Sequence, residues 1–415
     1  MTKVCAQHPE TLETFVNLTR EVEALRRKSE VNEAELASYR KERQLSLPVQ
    51  TSVFQEEQLP GLTTLTQNSS LDELRAYLFP PLRDEAKARE VWRRKRGNLV
   101  FFKTHKTGST TLGSIFFRFG ARHGRTFLYG PGHYLNPKVT EPEYRNVSHI
   151  SISHHTVLSM SPAEIFGFYE TYIRDPVYVS ILRDPVDRHL SSFRYFVEPN
   201  AKDSSLKRFL HDRTYYNQQC KDFGIGSTFQ LTDFLQSPDL EGRMTLVLIT
   251  EYFDEGLVML KRRLNWELED ILYIRLLDSC SSLKNHKGRG VKCGNPPESY
   301  TPEIRGRIKL VNALDQRLYD HFLAKFMKDL AGQDSGFFEE LALFRRLREA
   351  LQIHCEDTVN AFRISRLDAL LYPSACTKYA VDDAIYGHVI RSNRGVGNIF
   401  LPGERPLLSE DFLTP

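Results

Sequence analysis

The chain reads as an α/β protein, a P-loop-like and mostly parallel sheet flanked by helices. Three observations carry this. Short apolar runs at 99–102, 177–182 and 245–250 lack the polar alternation of a sheet with one wet face, as strands buried on both faces do. Apolar residues at helical spacing follow each run: Leu112, Ile115, Phe116 and Phe119; then Leu190, Phe193 and Val197; then Phe253, Leu257, Leu260 and Leu264. Between the first run and its helix lies Lys103-Thr104-His105-Lys106-Thr107-Gly108-Ser109-Thr110-Thr111, a small polar loop of the kind that cradles an anion.

The N-terminal region carries no such pattern. Residues 1–46 form a helical or coiled-coil stalk: Phe15, Leu18, Val22, Leu25, Leu36 and Tyr39 alternate at three and four residues around a polar middle, Ser29 and Asn32. That seam suits a homodimer through the helix, weakened by its polar pair. Residues 47–96 read as a linker, with Pro48 and Pro60 in a Thr/Ser/Gln-rich tract, and a basic helix ending in Arg93-Arg94-Lys95-Arg96. The main domain spans 97–380. Within it 147–153 and 270–277 are further strand candidates, and 302–362 is helical. An irregular tail, 381–415, completes the chain.

At 415 residues, 40% hydrophobic and 11% aromatic, the chain is globular. A net charge of +3 gives no argument for nucleic acid. No run approaches the roughly 18 apolar residues of a membrane span, and the first residues lack the apolar core of a signal peptide. Read literally, the chain is soluble and unexported, or it is one whose upstream anchor has been truncated. The six cysteines form no C-x-x-C pair, which speaks against zinc and permits two disulfides. Sequons at Asn17, Asn68 and Asn146 fit a glycoprotein.

In the loop, Lys106 supplies a point charge, Gly108 lets the backbone approach closely, and Thr107, Ser109, Thr110 and Thr111 offer N–H and hydroxyl donors. A Walker A loop places its lysine after the second glycine, and this loop does not. A second anion site follows the 177–182 run. Asp184 suits an N-cap and Pro185 the first helical position, leaving Arg183 at the strand end with Ser191 eight residues on. A guanidinium fork and a hydroxyl there could hold one phosphate.

Together, Lys-Thr-Gly-Ser-Thr after one strand and Arg-Asp-Pro with its distant serine resemble the 5′- and 3′-phosphate sites of sulfotransferases that use 3′-phosphoadenylyl sulfate (PAPS). The resemblance narrows to the galactose-3-O-sulfotransferase family through Val100–Thr110, the His154-His155 pair, Ser180–Val186, Glu251–Val258, Trp266–Asp270 and Asn312–Asp315, collinear across about 98–325. It implies the sulfotransferase fold and transfer of a sulfuryl group from PAPS to the 3-hydroxyl of a galactose on a galactosylceramide-like glycolipid or a glycan. It also implies a Golgi lumen or membrane location, although the family's single N-terminal span has no counterpart in residues 1–95. The stretch 198–242 matches the family poorly.

Carried over, the resemblance puts Lys106 on the oxygen bridging sulfate and 5′-phosphate. His105, Lys106, Thr107, Gly108, Ser109, Thr110 and Thr111 then surround the 5′-phosphate, and Arg183 and Ser191 the 3′-phosphate, with no metal. The acceptor hydroxyl needs a base; histidine suits it, with His155 favoured, then His154, and His105 as a shaper of the loop. A basic loop at 284–290 could close over the 3′-phosphate. Two other readings compete. A P-loop nucleotide kinase explains only the first motif, and a non-catalytic coiled-coil scaffold is at odds with the intact Lys106, Arg183 and Ser191.

Overall fold

The computed structural model describes residues 96–123, 125–128, 149–154, 160–197, 206–275 and 301–356, together with Cys376 and Tyr379. The stalk, the linker, all three sequons, His155, the 284–290 loop and the 381–415 tail lie outside the described residues.

The domain opens with β1 (Leu99–Phe102), buried along its whole length, and α1 (Ser109–Arg122). Next come β2 (Phe127–Leu128), β3 (Ile150–Ser153) and α2 (Pro162–Tyr172), whose start is fixed by a Ser161/Glu164 capping box. After β4 (Val177–Leu182), α3 (Pro185–Ser192) passes into a π-helical turn, Phe193–Val197. Short helices follow: α4 (Leu206–Phe209), α5 (Gln218–Asp222), α6 (Thr228–Gln236) and α7 (Pro238–Glu241). The chain continues through β5 (Met244–Ile249), α8 (Phe253–Leu264), α9 (Leu268–Ile271), α10 (Pro302–Val311), α11 (Ala313–Ala331) and α12 (Ser335–His354).

Among the described residues the strands form one sheet in the order β2–β3–β1–β4–β5, with every pairing parallel. β1 is central. The chain passes from it to β2 and β3 on one side and to β4 and β5 on the other. In open α/β sheets a ligand crevice forms at such a point, outside the carboxyl ends of the strands. The core supports that edge: Phe102 at the end of β1 packs against Phe166, Tyr169, Tyr178 and Phe223, with ring centroids 5.5–6.3 Å away. On the other flank Phe119 of α1 stacks on Trp266 at 3.7 Å. No described helix is long and apolar enough to cross a membrane.

Two expectations change. The strand expected at 270–277 is not one where it is described: Leu268–Ile271 is helical, and 272–275 pair with no strand. A capping box between Glu267 and Asp270 starts that helix, and Arg122 of α1 bonds Glu269 at 2.9 Å and Asp270 at 3.3 Å. The apolar run beyond it is buried, but side chains take its backbone groups: Arg118 donates to Leu272 O, and Arg275 N donates to Gln352 Oε1 at 2.8 Å. A short apolar run does not by itself tell a strand from buried coil. The other change is local. β5 ends one residue early, where Thr250 turns its hydroxyl onto the carbonyls of Thr107 and of Leu182, the last residue of β4. Of the cysteines, Cys355 and Cys376 form a disulfide with Cα atoms 5.4 Å apart, and Cys220 is free and buried.

Candidate active site

Four polar segments leave the sheet at its carboxyl edge: the Lys103–Gly108 loop after β1, His154 after β3, Arg183 after β4 and Thr250 after β5. The loop is held by its own hydroxyls. Thr104 Oγ1 lies 2.8 Å from Thr107 Oγ1 and donates to Ile181 O of β4, while Ser109 Oγ donates to Thr104 O. Thr250 Oγ1 bridges Thr107 O at 2.7 Å and Leu182 O at 2.9 Å, pinning the loop to the ends of β4 and β5. The hydroxyl residues of the motif therefore divide: Thr104, Thr107 and Ser109 are buried and shape the loop, whereas Thr110 and Thr111 are only partly buried at the start of α1.

Lys106 and Gly108 both take positive φ, 62° and 79°. For glycine that costs nothing, but for lysine it stores of order 1–3 kcal/mol, a strain that accumulates at functional sites. The fold spends that energy on where Lys106 points. Burial, then the charges of Arg183 and Lys103, push its ammonium pKa down from 10.5 to about 7. Its Nζ rests 3.6 Å from the centroid of the Tyr195 ring. Arg183 Nη1 donates to Lys106 O at 3.4 Å, and Lys103 Nζ donates to Ser109 Oγ at 3.2 Å. Three cations thus converge on one loop, which an anion would relieve.

Arg183 is fixed from both sides of its peptide: its N–H donates to Gln219 Oε1 at 2.8 Å, and Gln219 Nε2 donates back to Arg183 O at 3.0 Å. Asp184 caps α3 as expected, accepting from Val186 N and Asp187 N. Its own N–H donates to Glu251 Oε1 at 3.0 Å. Ser191 lies on the same helix, partly exposed.

The histidines separate. His154 Nδ1 lies 2.7 Å from Lys103 O, and because a carbonyl only accepts, Nδ1 carries the proton. His105 stacks on it, with ring centroids 3.9 Å apart and an interplanar angle of 20°. His105 Nδ1 faces the wholly buried carboxylate of Asp222, 2.8 Å from Oδ1, and the His105 backbone N–H donates to Oδ2 at 2.7 Å. With Nδ1 held by a carboxylate, Nε2 carries the lone pair, the arrangement of a histidine poised to take a proton. The His105 side chain is 21% exposed, against 8% for His154. The nearest potential ligand atoms of His105, His154 and Asp222 lie within 4.8 Å of one another. His105, Asp222 and the stacked His154 form one hydrogen-bonded cluster beside the loop.

Asp222 and Gln219 both belong to α5, five residues inside the 198–242 stretch that matches the family poorly in sequence. Long-range caps hold this helix. Asp315 Oδ2 and Oδ1 accept from Gln219 N at 3.1 Å and Cys220 N at 2.8 Å, while Asn217 Oδ1 accepts from Leu314 N and Asp315 N at the start of α11. The two helix starts cap each other. Arg188, wholly buried, closes the bracket by donating to Asn312 Oδ1 at 3.0 Å and Tyr215 O at 2.9 Å.

Residues 49–367 match the galactose-3-O-sulfotransferase family. The chain belongs to that family. It is 31% identical over 312 residues to galactose-3-O-sulfotransferase 3 of Mus musculus, covering 66% of this chain and 64% of that protein. To galactosylceramide sulfotransferase of Homo sapiens it is 31% identical over 295 residues, 63% of this chain and 64% of that protein. Galactose-3-O-sulfotransferase 2 of Mus musculus is 29% identical over 302 residues, 65% of this chain and 73% of that protein. The chain thus spans just under two-thirds of the length of the first two. Two segments that carried the family resemblance now have structural work. Asn312–Asp315 braces α5 and Arg188, and Glu251 ties the start of α3 to the Tyr319 hydroxyl, 3.3 Å away.

A small cleft beside α1, lined by Thr110, Thr111, Ser114, Arg118, Tyr273 and Tyr379, continues from the loop. Tyr273 is held by Asp254 at 2.7 Å. Tyr379 lies under the Arg118 guanidinium, 4.6 Å from ring centroid to Cζ, and its N–H donates to the carbonyl of the disulfide-bonded Cys376.

Proposed function

We propose that this protein is a carbohydrate sulfotransferase that moves the sulfuryl group of PAPS to the 3-hydroxyl of a galactose on a glycolipid or glycan. One observation carries the reading: an anion loop bearing Lys106, with Arg183 donating to it from the end of β4, meets a His105–Asp222 pair at the same sheet edge. The converging charge of Lys103, Lys106 and Arg183 fits an anionic donor. PAPS supplies an activated sulfuryl group on a phosphate leaving group. Lys106 with the loop N–H groups holds the 5′-phosphate, and Arg183 and Ser191 hold the 3′-phosphate.

His105, rather than His154 or His155, is the base in this reading. Its Nε2 accepts the proton of the galactose 3-hydroxyl as that oxygen bonds to sulfur. Asp222 keeps the lone pair on Nε2 and stabilises the imidazolium that forms. Lys106 offsets the charge that grows on the departing phosphate oxygen as its bond to sulfur breaks. Positive side chains do here what a divalent cation does for nucleoside triphosphates. The family resemblance supports the Golgi lumen as the location, and the Cys355–Cys376 disulfide suits an oxidising compartment.

The first test is nucleotide-dependent melting. Stabilisation by 3′-phosphoadenosine 5′-phosphate in the presence of a chelator supports the reading. Stabilisation only by ATP with magnesium would point to a kinase.

A further inference from the structure

The aromatic side chains next to Lys106 are not needed to hold phosphates, and one of them is exposed. Tyr195, over whose ring Lys106 Nζ sits, belongs to the π-helical turn Phe193–Val197 at the end of α3. Such turns interrupt α-helices mostly at functional sites, where the extra residue re-aims the side chains that follow. The ring of Phe196 lies 4.8 Å from that of Tyr195, edge to face, and its side chain is 37% exposed. Phe196 in turn lies 6.1 Å from Tyr215 at an interplanar angle of 33°, and Phe209 backs Tyr215 at 4.5 Å. A ladder of rings therefore starts at the cation that serves the leaving group and runs outward to an exposed phenylalanine.

An exposed apolar ring beside a buried charge implies a ligand that is apolar on one face and polar at its rim. A galactopyranose is such a ligand, because the axial 4-hydroxyl leaves the C–H bonds at carbons 3, 4 and 5 clustered on the opposite face. Resting on the proposed sulfotransferase reading, we infer that Tyr195 and Phe196, backed by Tyr215, form the acceptor subsite. They are a stacking platform for the C–H face of a terminal galactose that presents its 3-hydroxyl beside His105 and Lys106. The Tyr195 ring contributes at both ends, holding the Lys106 ammonium and one edge of the sugar.

The test uses the full chain loaded with 3′-phosphoadenosine 5′-phosphate, and methyl β-galactoside as the probe. Saturation-transfer NMR on wild type should show the strongest contact at the protons on carbons 3, 4 and 5. Phe196→Ala and Tyr195→Ala should weaken galactoside affinity and raise the acceptor KM by about two- to tenfold, the value of one aromatic contact. Tyr195→Phe should leave the acceptor KM unchanged. Phe196→Ala and Tyr195→Phe should keep the melting shift given by the nucleotide, which also shows that they fold. A nucleotide shift lost in Phe196→Ala with galactoside affinity unchanged would overturn the inference, assigning the ladder to the donor. So would wild-type protein that binds the nucleotide but not the galactoside. Failure to bind the nucleotide at all would instead defeat the sulfotransferase reading.

Discussion

His105 Nδ1 lies 2.8 Å from the buried Asp222 carboxylate, a contact made across 117 residues of sequence. The same carboxylate holds the His105 backbone N–H, so it fixes both the position of the residue and the tautomer of its ring. Asp222→Asn separates the two roles. The amide oxygen still accepts from the backbone N–H, but the amide N–H₂ then faces Nδ1 and moves the ring proton to Nε2. Turnover should fall by about 10²- to 10⁴-fold, with the nucleotide Kd unchanged, as steady-state kinetics and calorimetry will show.

Lys106 should take up a proton when the donor binds. Burial and two neighbouring cations lower its pKa to about 7, and an anion in the loop stabilises the ammonium and raises that pKa. Above pH 7 the free protein holds Lys106 mostly neutral and the complex holds it charged. Affinity for 3′-phosphoadenosine 5′-phosphate should therefore weaken by up to about tenfold per pH unit above 7. Calorimetry at pH 8 in buffers of different ionisation enthalpy should report uptake approaching one proton, and Lys106→Met should remove it. Lys106→Ala should lower turnover by more than about tenfold.

The bracket around α5 should be costly to break. Asp315 is wholly buried, caps α5 and lies 4.0 Å from the equally buried Arg188. Asp315→Ala leaves that guanidinium without its carboxylate and should cost about 3–5 kcal/mol in denaturant unfolding. The milder Asn217→Ala, which removes the reciprocal cap and leaves alanine at the left-handed φ of 48°, should cost about 1–3 kcal/mol.

Acid should destabilise the fold through His189. Burial, then the Arg188 charge, lowers its pKa from 6.5 to about 3. Between those values the unfolded chain binds a proton that the folded one does not, so stability falls as pH drops from about 6.5 towards 3. His189→Gln should flatten that part of the stability–pH curve measured by urea unfolding.

The disulfide should matter to stability. Cys376 carries Tyr379 into the cleft beside Thr110 and Thr111. Cys376→Ser opens the loop between two residues 21 apart, which should cost about 3 kcal/mol by chain entropy. Denaturant unfolding of the wild type and the variant measures that difference.

β1, β4 and β5 were legible because burial on both faces leaves a near-continuous apolar run, β3 showed only as a loose alternation, and the two-residue β2 left no signal; both loop motifs were legible because their chemistry is local. Lys106, Gly108 and Arg183 sit within a few residues of the strand ends that aim them. Asp222 had no local signal. It lies on a five-residue helix whose start is capped by Asp315, about 95 residues away, and no periodicity marks such a helix. His105 lost weight in the sequence for the same reason, since its partner was invisible. The 270–277 run failed differently: its apolar residues are buried as read, but side chains rather than a neighbouring strand take its backbone groups.

The account stands most directly on one assay: incubation of the full chain with radiolabelled PAPS and a β-galactoside, with the sulfated carbon located by NMR. The expected result is a galactoside sulfated at the 3-hydroxyl, formed by wild type and reduced at least about a hundredfold in His105→Ala. Protein that binds the nucleotide yet leaves the galactoside unlabelled, or that sulfates it equally well without His105, would contradict the account.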